Sequence, residues 1–130
     1  MFAEFPSATD SVRCAISIHN SFKHENGQNP DTFQMNIKIG IHMGEVHEKD
    51  GDLFGNDVNL CSRIESVSIP GGIAISGFSL DFITDQYYSH GYGKVKLKNI
   101  PKPIEIHRLY LSETEYQNHR QENLIKIGIK

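Results

Sequence analysis

The run from Ile37 to Arg63, IKIGIHMGEVHEKDGDLFGNDVNLCSR, constrains this chain most, because its hydrophobic period changes once, from two to that of a helix. From Met35 to Val46, apolar Met35, Ile37, Ile39 and Ile41 alternate with Asn36, Lys38, Gly40 and His42, the pattern of a half-buried strand. Glu48 to Gly51 is charged and closes on Asp-Gly, a strong turn signal. A helix is expected to begin near Asn56 or Asp57 with Leu60, Ile64 and Val67 as its apolar stripe. Asn59 and Arg63 stand four positions apart at the edge of that stripe, so an amide and a guanidinium share one side of one helix. A planar fork of donors beside a neutral amide suits an anionic, oxygen-rich ligand such as a phosphorylated nucleotide.

The bulk of the sequence narrows the partners. At 130 residues and 38% hydrophobic content the chain supports one domain with a modest core. A formal charge of −3 and a pI near 6.1 leave no basic footprint for a nucleic-acid backbone. Cys14 and Cys61 fall in helix-like segments without Cys-x-x-Cys spacing, which argues against a disulfide framework or zinc site and for a reducing, cytoplasmic setting. No apolar run approaches the length of about 18 residues that spans a membrane, and no signal peptide opens the chain, so no membrane contact is expected from it.

Either side of the central run, the pattern is legible in pieces. Met1 to Phe5 reads as the end of a strand stopped by Pro6. An amphipathic helix follows, capped by Ser7 or Thr9 and carrying Val12, Ala15, Ile16, His19 and Phe22 on one face. Asn26-Gly27 and Asn29-Pro30-Asp31 read as a surface loop. Ile73 to Ser76 is a short apolar strand, and Ser76 to Phe82 a brief helix. Beyond Gly91 and Gly93, which form no dinucleotide loop, Lys94 to Lys98 and Ile104 to Leu111 read as two strands joined through Pro101 and Pro103. Residues 112–130 form a polar tail whose alternating isoleucines suit either an added edge strand or a disordered end.

Gly40-Ile41-His42-Met43-Gly44, followed by Asp52-x-x-Gly55-x-x-Val58-Asn59-x-x-x-Arg63, resembles the centre of the class III adenylate/guanylate cyclase catalytic domain. Leu97-Lys98-Asn99-Ile100 and Pro103-Ile104-Glu105-Ile106 are similar to that family's closing hairpin, so the resemblance covers about residues 1–111. It implies an α+β, ferredoxin-like βαββαβ-type domain, incomplete at its N-terminus. It also implies ATP or GTP as substrate, a cyclic nucleotide and pyrophosphate as products, and a homodimer or heterodimer whose active site draws on both chains. Carried over residue by residue, Asn59 matches the ribose-orienting Asn and Arg63 the transition-state Arg. Asp52 matches the purine-contact aspartate, with the Leu53 backbone beside it. Lys98 matches the triphosphate lysine, although Asn99 stands where the family usually has Gly. Taken alone, Asp52 reads equally as a turn aspartate and Lys98 as an exposed strand lysine; His42 and His47 read as structural or exposed.

The same resemblance implies Mg²⁺ or Mn²⁺, but both metal-binding aspartates and an adenine-contacting lysine precede the segment that Met1 matches. No residue of this chain is carried over to the metal. The expectation is an adenylate cyclase half that is inactive alone. The alternatives are a non-catalytic nucleotide-binding or dimerising partner and a ferredoxin-like binding domain with an incidental match.

Overall fold

The computed structural model describes residues 3–32, 34–44, 47–49, 52–54 and 56–126, with side chains described at 3–32, 34–44 and 57–121. Helix α1 (Ala8–Gln28) starts where Ser7 Oγ accepts from the Asp10 amide at 3.1 Å. Strand β1 (Ile39–Ile41), the hairpin strands β2 (His47–Lys49) and β3 (Asp52–Phe54), and helix α2 (Asn56–Ser66) follow. Next come β4 (Ile73–Ser76), the short α3 (Gly77–Leu80), β5 (Ser89–Val95), β6 (Ile104–Leu109) and α4 (Glu113–Lys126). The larger sheet has the order β1-β4-β6-β5, with β1 and β4 parallel across α2 and the other pairs antiparallel. This is the mixed α+β class expected from the sequence.

Alternation along β1 and β4 divides the core into two buried clusters. Ile41, Ile73, Ile75 and Leu109 pack with Val12 and Ala15 of α1, whereas Ala74 and Ile106 pack with Ile64 of α2 and with Leu97. Full burial of each Val, Leu or Ile among them contributes about 1.5–3 kcal/mol. Stripe residues Leu60 and Ile64 face inward as expected. Val67 does not: it lies past the end of α2 and is 46% exposed, because the helix closes with the Val67 and Ser68 amides turned onto Ile64 and Glu65.

Other departures have local hydrogen-bonding causes. The expected loop at Asn26-Gly27 is helical to Gln28, and the Asn26 side chain bonds both the carbonyl and the amide of Met35, at 2.8 and 3.0 Å. Met35, satisfied by that amide and 44% exposed, is therefore no part of the strand, which is confined to three residues. Residues 3–5 lie in no strand, and residues 1–2 fall outside the description. β5 begins at Ser89, well before Lys94, and pairs Gly91 with His107, while Gly93, at φ 76°, lies in the bulge between Gly91 and Lys94. As far as it is described the tail is helical, Glu113–Lys126: Ser112 Oγ accepts from the Glu115 amide and Glu115 Oε1 accepts from the Leu111 amide, both at 3.2 Å. Tyr116 of α4 then stacks on Tyr88, with ring centroids 5.1 Å apart. Ile127 and Ile129 lie outside the described residues.

His19, 2% exposed, donates from Nε2 to the Gly72 carbonyl at 2.9 Å and so ties α1 to the start of β4. Burial pushes its pKa below the ordinary 6.5; the Gly72 bond and Glu115 oppose that shift and Lys23 adds to it. A depressed folded pKa means the unfolded chain takes the proton first. Its contribution to stability is complete above pH 6.5 and is lost as pH falls from there toward the folded value. The urea midpoint is expected to fall between pH 7.5 and 5.5, and to fall less in His19→Gln, whose amide keeps a donor for Gly72 without titrating. Parallel midpoint curves for the two proteins would contradict this.

Candidate active site

The segment Gly40 to Gly44 is built to receive α2. Gly40 lies beneath the helix backbone: a Cβ there would come within 2.6 Å of Glu65 Cα and 2.8 Å of Glu65 Cβ. Ile41 points into the α1 side of the core at 7% exposure. His42, whose side chain is 8% exposed, bonds Asp57 Oδ1 from Nε2 at 2.9 Å and Ser76 Oγ from Nδ1 at 2.8 Å. Gly44 leaves room for that carboxylate, since a Cβ would stand 2.5 and 2.6 Å from its two oxygens.

The donors and acceptors run in one direction. The Met43 amide donates to Ser79 Oγ at 2.6 Å, Ser79 and Ser76 share a 2.6 Å bond, and Ser76 meets His42. A carboxylate only accepts, so a hydrogen sits on His42 Nε2; in the neutral imidazole Ser76 then donates to Nδ1 and Ser79 to Ser76. The order carboxylate, imidazole, hydroxyl is also that of an activated nucleophile. Ser76 is only 1% exposed and its oxygen is already shared with Ser79, so no substrate carbonyl can approach it.

Asn59 is exposed and Arg63 half-buried on α2, four positions apart, while Leu60 and Ile64 face the core. None of the ion pairs among the described residues involves Arg63. Asp52 and Leu53 lie on β3, one residue pair beyond the Asp50-Gly51 connection, since Lys49 pairs with Asp52. Their side chains are outside the described residues. Lys98 is not on a strand. It occupies an exposed turn closed by the Ile100 amide on the Leu97 carbonyl at 3.2 Å, with Lys96 Nζ donating to Ile100 and Pro101 carbonyls. Asn99 in that turn has φ 64°, a left-handed conformation that Gly takes freely and Asn tolerates. Asn99 therefore preserves the turn that a glycine would make. Leu97, just before Lys98, shares a buried cluster with Ile64, just after Arg63, so the lysine turn and α2 flank the same packing layer.

A cleft of about 560 Å³ opens beside this layer, lined by His42, Leu60, Ser76, Phe78, Glu105 and His107 among others. Among the described residues no three His, Cys, Asp or Glu side chains gather in a way that could hold a metal ion. No helix there is long and apolar enough to cross a membrane. Asp57, Ser76 and Ser79 escaped the sequence reading. The one signal for Asp57 is an acidic residue in a helix's first turn, which usually means no more than a favourable dipole interaction.

A family model for the adenylate and guanylate cyclase catalytic domain matches residues 4–111. A Rhizobium meliloti protein named "Putative adenylate cyclase 3" is 34% identical over 110 residues, which is 82% of this chain and 18% of that protein. The structure of an adenylate/guanylate cyclase/hydrolase from Silicibacter pomeroyi superposes with a TM-score of 0.72 at 30% identity, covering 81% of this chain and 63% of that one. The adenylyl cyclase CyaB of P. aeruginosa shares the fold, with a TM-score of 0.66 at 24% identity over 83% of this chain and 61% of its own. The chain thus spans only part of the length of each of these proteins. With more than half of its residues matched by the family model, the chain belongs to the class III adenylate and guanylate cyclase catalytic domain family.

Proposed function

We propose that this chain supplies the nucleotide-facing residues of an adenylate cyclase, a phosphorus–oxygen lyase that converts ATP to 3′,5′-cyclic AMP and pyrophosphate, in a dimer with a second cyclase domain. The observation that carries the proposal is the outward edge of α2, where Asn59 and Arg63 stand together and the guanidinium has no ion-pair partner among the described residues. In the reaction the ribose 3′ hydroxyl gives its proton to water, its oxygen bonds the α-phosphorus, the bond from that phosphorus to the β-phosphate bridging oxygen breaks, and pyrophosphate leaves with the electron pair. Asn59 orients the ribose. Arg63 balances the charge that grows on the phosphoryl oxygens, which is worth most when the donor is fixed beforehand. Lys98 reaches the triphosphate from its turn, and Asp52, with the Leu53 backbone, accepts from the adenine 6-amino group.

Divalent cations, Mg²⁺ or Mn²⁺ in this family, lower the charge on the attacking and leaving oxygens when bound. The described side chains do not fit such a site, so no step is assigned to them through it. In this reading residues 1–111 form the partial cyclase domain and residues 112–130 an appendage to it.

The test uses a related chain that keeps both metal aspartates but has lost its own Asn and Arg. With wild-type protein the mixture should make cyclic AMP; with Arg63→Ala the rate should fall on the order of 10²-fold, the usual cost of one preorganised transition-state donor. An unchanged rate would remove Arg63 from the mechanism. Specificity follows separately. ATP should be preferred to GTP, because a carboxylate repels the guanine 6-oxo group, and Asp52→Ala should narrow the preference. Equal use of ATP and GTP by both proteins would argue against a base contact at Asp52.

A further inference from the structure

Two clamps hold α2 on the sheet, one by close backbone packing and one by a chain of hydrogen bonds. Near its C-terminus the helix backbone at Glu65 lies against Gly40, a contact of shape alone. At its N-terminus Asp57 accepts from His42, which is itself fixed by Ser76 and, through Ser79, by the amide of its own neighbour Met43. Between the clamps Leu60 and Ile64 make apolar contacts inward, and Cys61 Sγ donates to the Gly40 carbonyl at 3.5 Å, a long bond from a weak donor. Apolar contacts are nondirectional and leave a helix free to rotate slightly about its axis. A helix as short as α2 has little stability of its own, so its orientation comes from what it touches.

We propose that His42 is a positioning residue that sets the rotation of α2 through Asp57 and thereby places Asn59 and Arg63. The proposal rests on the nucleotide role given to those two residues above. Its geometry is simple. A guanidinium carried roughly 6 Å from the helix axis moves about 1 Å for each 10° of rotation, and a misplacement of about 1 Å can cost about 10²-fold in rate. Ser76 and Ser79 are 1% and 0% exposed, so the imidazole is anchored to the sheet side by groups that cannot turn to water instead. The hydrogen bond to Asp57 is the only polar link the described residues show between the sheet and the first turn of α2.

The test combines amide hydrogen exchange on the full chain with kinetics in the mixed-chain assay. In His42→Ala and Asp57→Ala, exchange at Leu60, Cys61 and Ser62, whose amides bond back to the first turn, should quicken at least about 10-fold. Exchange in α1 should stay as in wild type. His42→Gln, which restores a donor near the Nε2 position, should recover most of the protection, whereas His42→Asn, which reaches only as far as Nδ1, should not. The double variant His42→Ala with Asp57→Ala should be no worse than either single one. In the assay the single variants should lose kcat on the order of 10-fold with little change in KM, because ground-state binding survives a small rotation that the transition state does not.

Unchanged exchange in α2, equal acceleration in α1, or additive effects in the double variant would overturn the proposal. Two failures can be told apart. If Arg63→Ala leaves the rate unchanged, the nucleotide reading fails while the exchange result still decides whether His42 orients α2. If Arg63→Ala is crippling and His42→Ala is not, His42 has no positioning role.

Discussion

Purified by itself, the chain is expected to turn over no ATP above background with either Mg²⁺ or Mn²⁺, and the same sample is expected to become active on mixing with a metal-bearing cyclase chain. The argument is one of divided labour. In the proposed reaction Asn59 orients the ribose and Arg63 offsets charge on the phosphoryl group, but neither takes charge off the attacking 3′ oxygen. In the family that task belongs to cations held by two aspartates, and the resemblance carries neither of them over to a residue of this chain. The described side chains gather no substitute. On that reading a second copy of the chain adds no metal ligand, so concentration should not help. A mixed dimer needs one nucleotide-facing edge from this chain and one metal site from its partner, and should form one active site per pair. The measurement is cyclic AMP formed per minute by each chain alone and by a titration of one into the other. Rates should rise to a plateau at equal amounts. Robust cyclic AMP formation by this chain alone would mean that another group holds the metal, and silence in every mixture would favour a purely regulatory partner.

What the sequence disclosed and what it concealed divide along a physical line. Periodicity reports burial, and it disclosed α1, β4, β6 and the inward edge of α2, because Val12, Ala15, Ile64, Ile73 and Ile75 repeat with the period of the elements they pack from. It overran where polar side chains substitute for the ladder. Asn26 satisfies Met35 and ends the strand that alternation alone would prolong. It also missed α4, whose Ser112-x-x-Glu115 start is a capping signal that the isoleucines further on obscured. The motifs named Asn59, Arg63, Asp52, Leu53 and Lys98 as candidates, and the structure puts Asn59 and Arg63 four apart on α2 and Asp52 and Leu53 on β3. Lys98 was placed on a strand and stands instead on a turn, which also explains why Asn can follow it there. The His42–Asp57–Ser76–Ser79 chain was not legible. Its members come from β1's end, α2, β4 and α3, and only the packing of those elements brings them within hydrogen-bond distance.

Among the described glycines, Gly40→Ala should be the most damaging methyl that can be added without touching a functional side chain. The new Cβ would stand 2.6 Å from Glu65 Cα and closer still to the Glu65 amide nitrogen, and these are backbone atoms that cannot swing aside. Either α2 lifts off β1 by about an ångström or the strand bends away, and both loosen the Ile64 cluster; overpacking of this kind costs about 1–3 kcal/mol and sometimes more. The upper end is expected here, a loss of more than about 10² in the folding equilibrium. Any folded remainder should also be impaired in the mixed-chain assay, because lifting the helix carries Arg63 with it. Gly27→Ala supplies the contrast. A Cβ there meets nothing within 4 Å and the residue lies near the end of α1, so the substitution should be neutral or stabilising by up to about 1 kcal/mol. The urea midpoint should therefore fall in Gly40→Ala and stay or rise in Gly27→Ala, and a Gly40→Ala protein as stable as wild type would show that α2 does not rest on β1 as described.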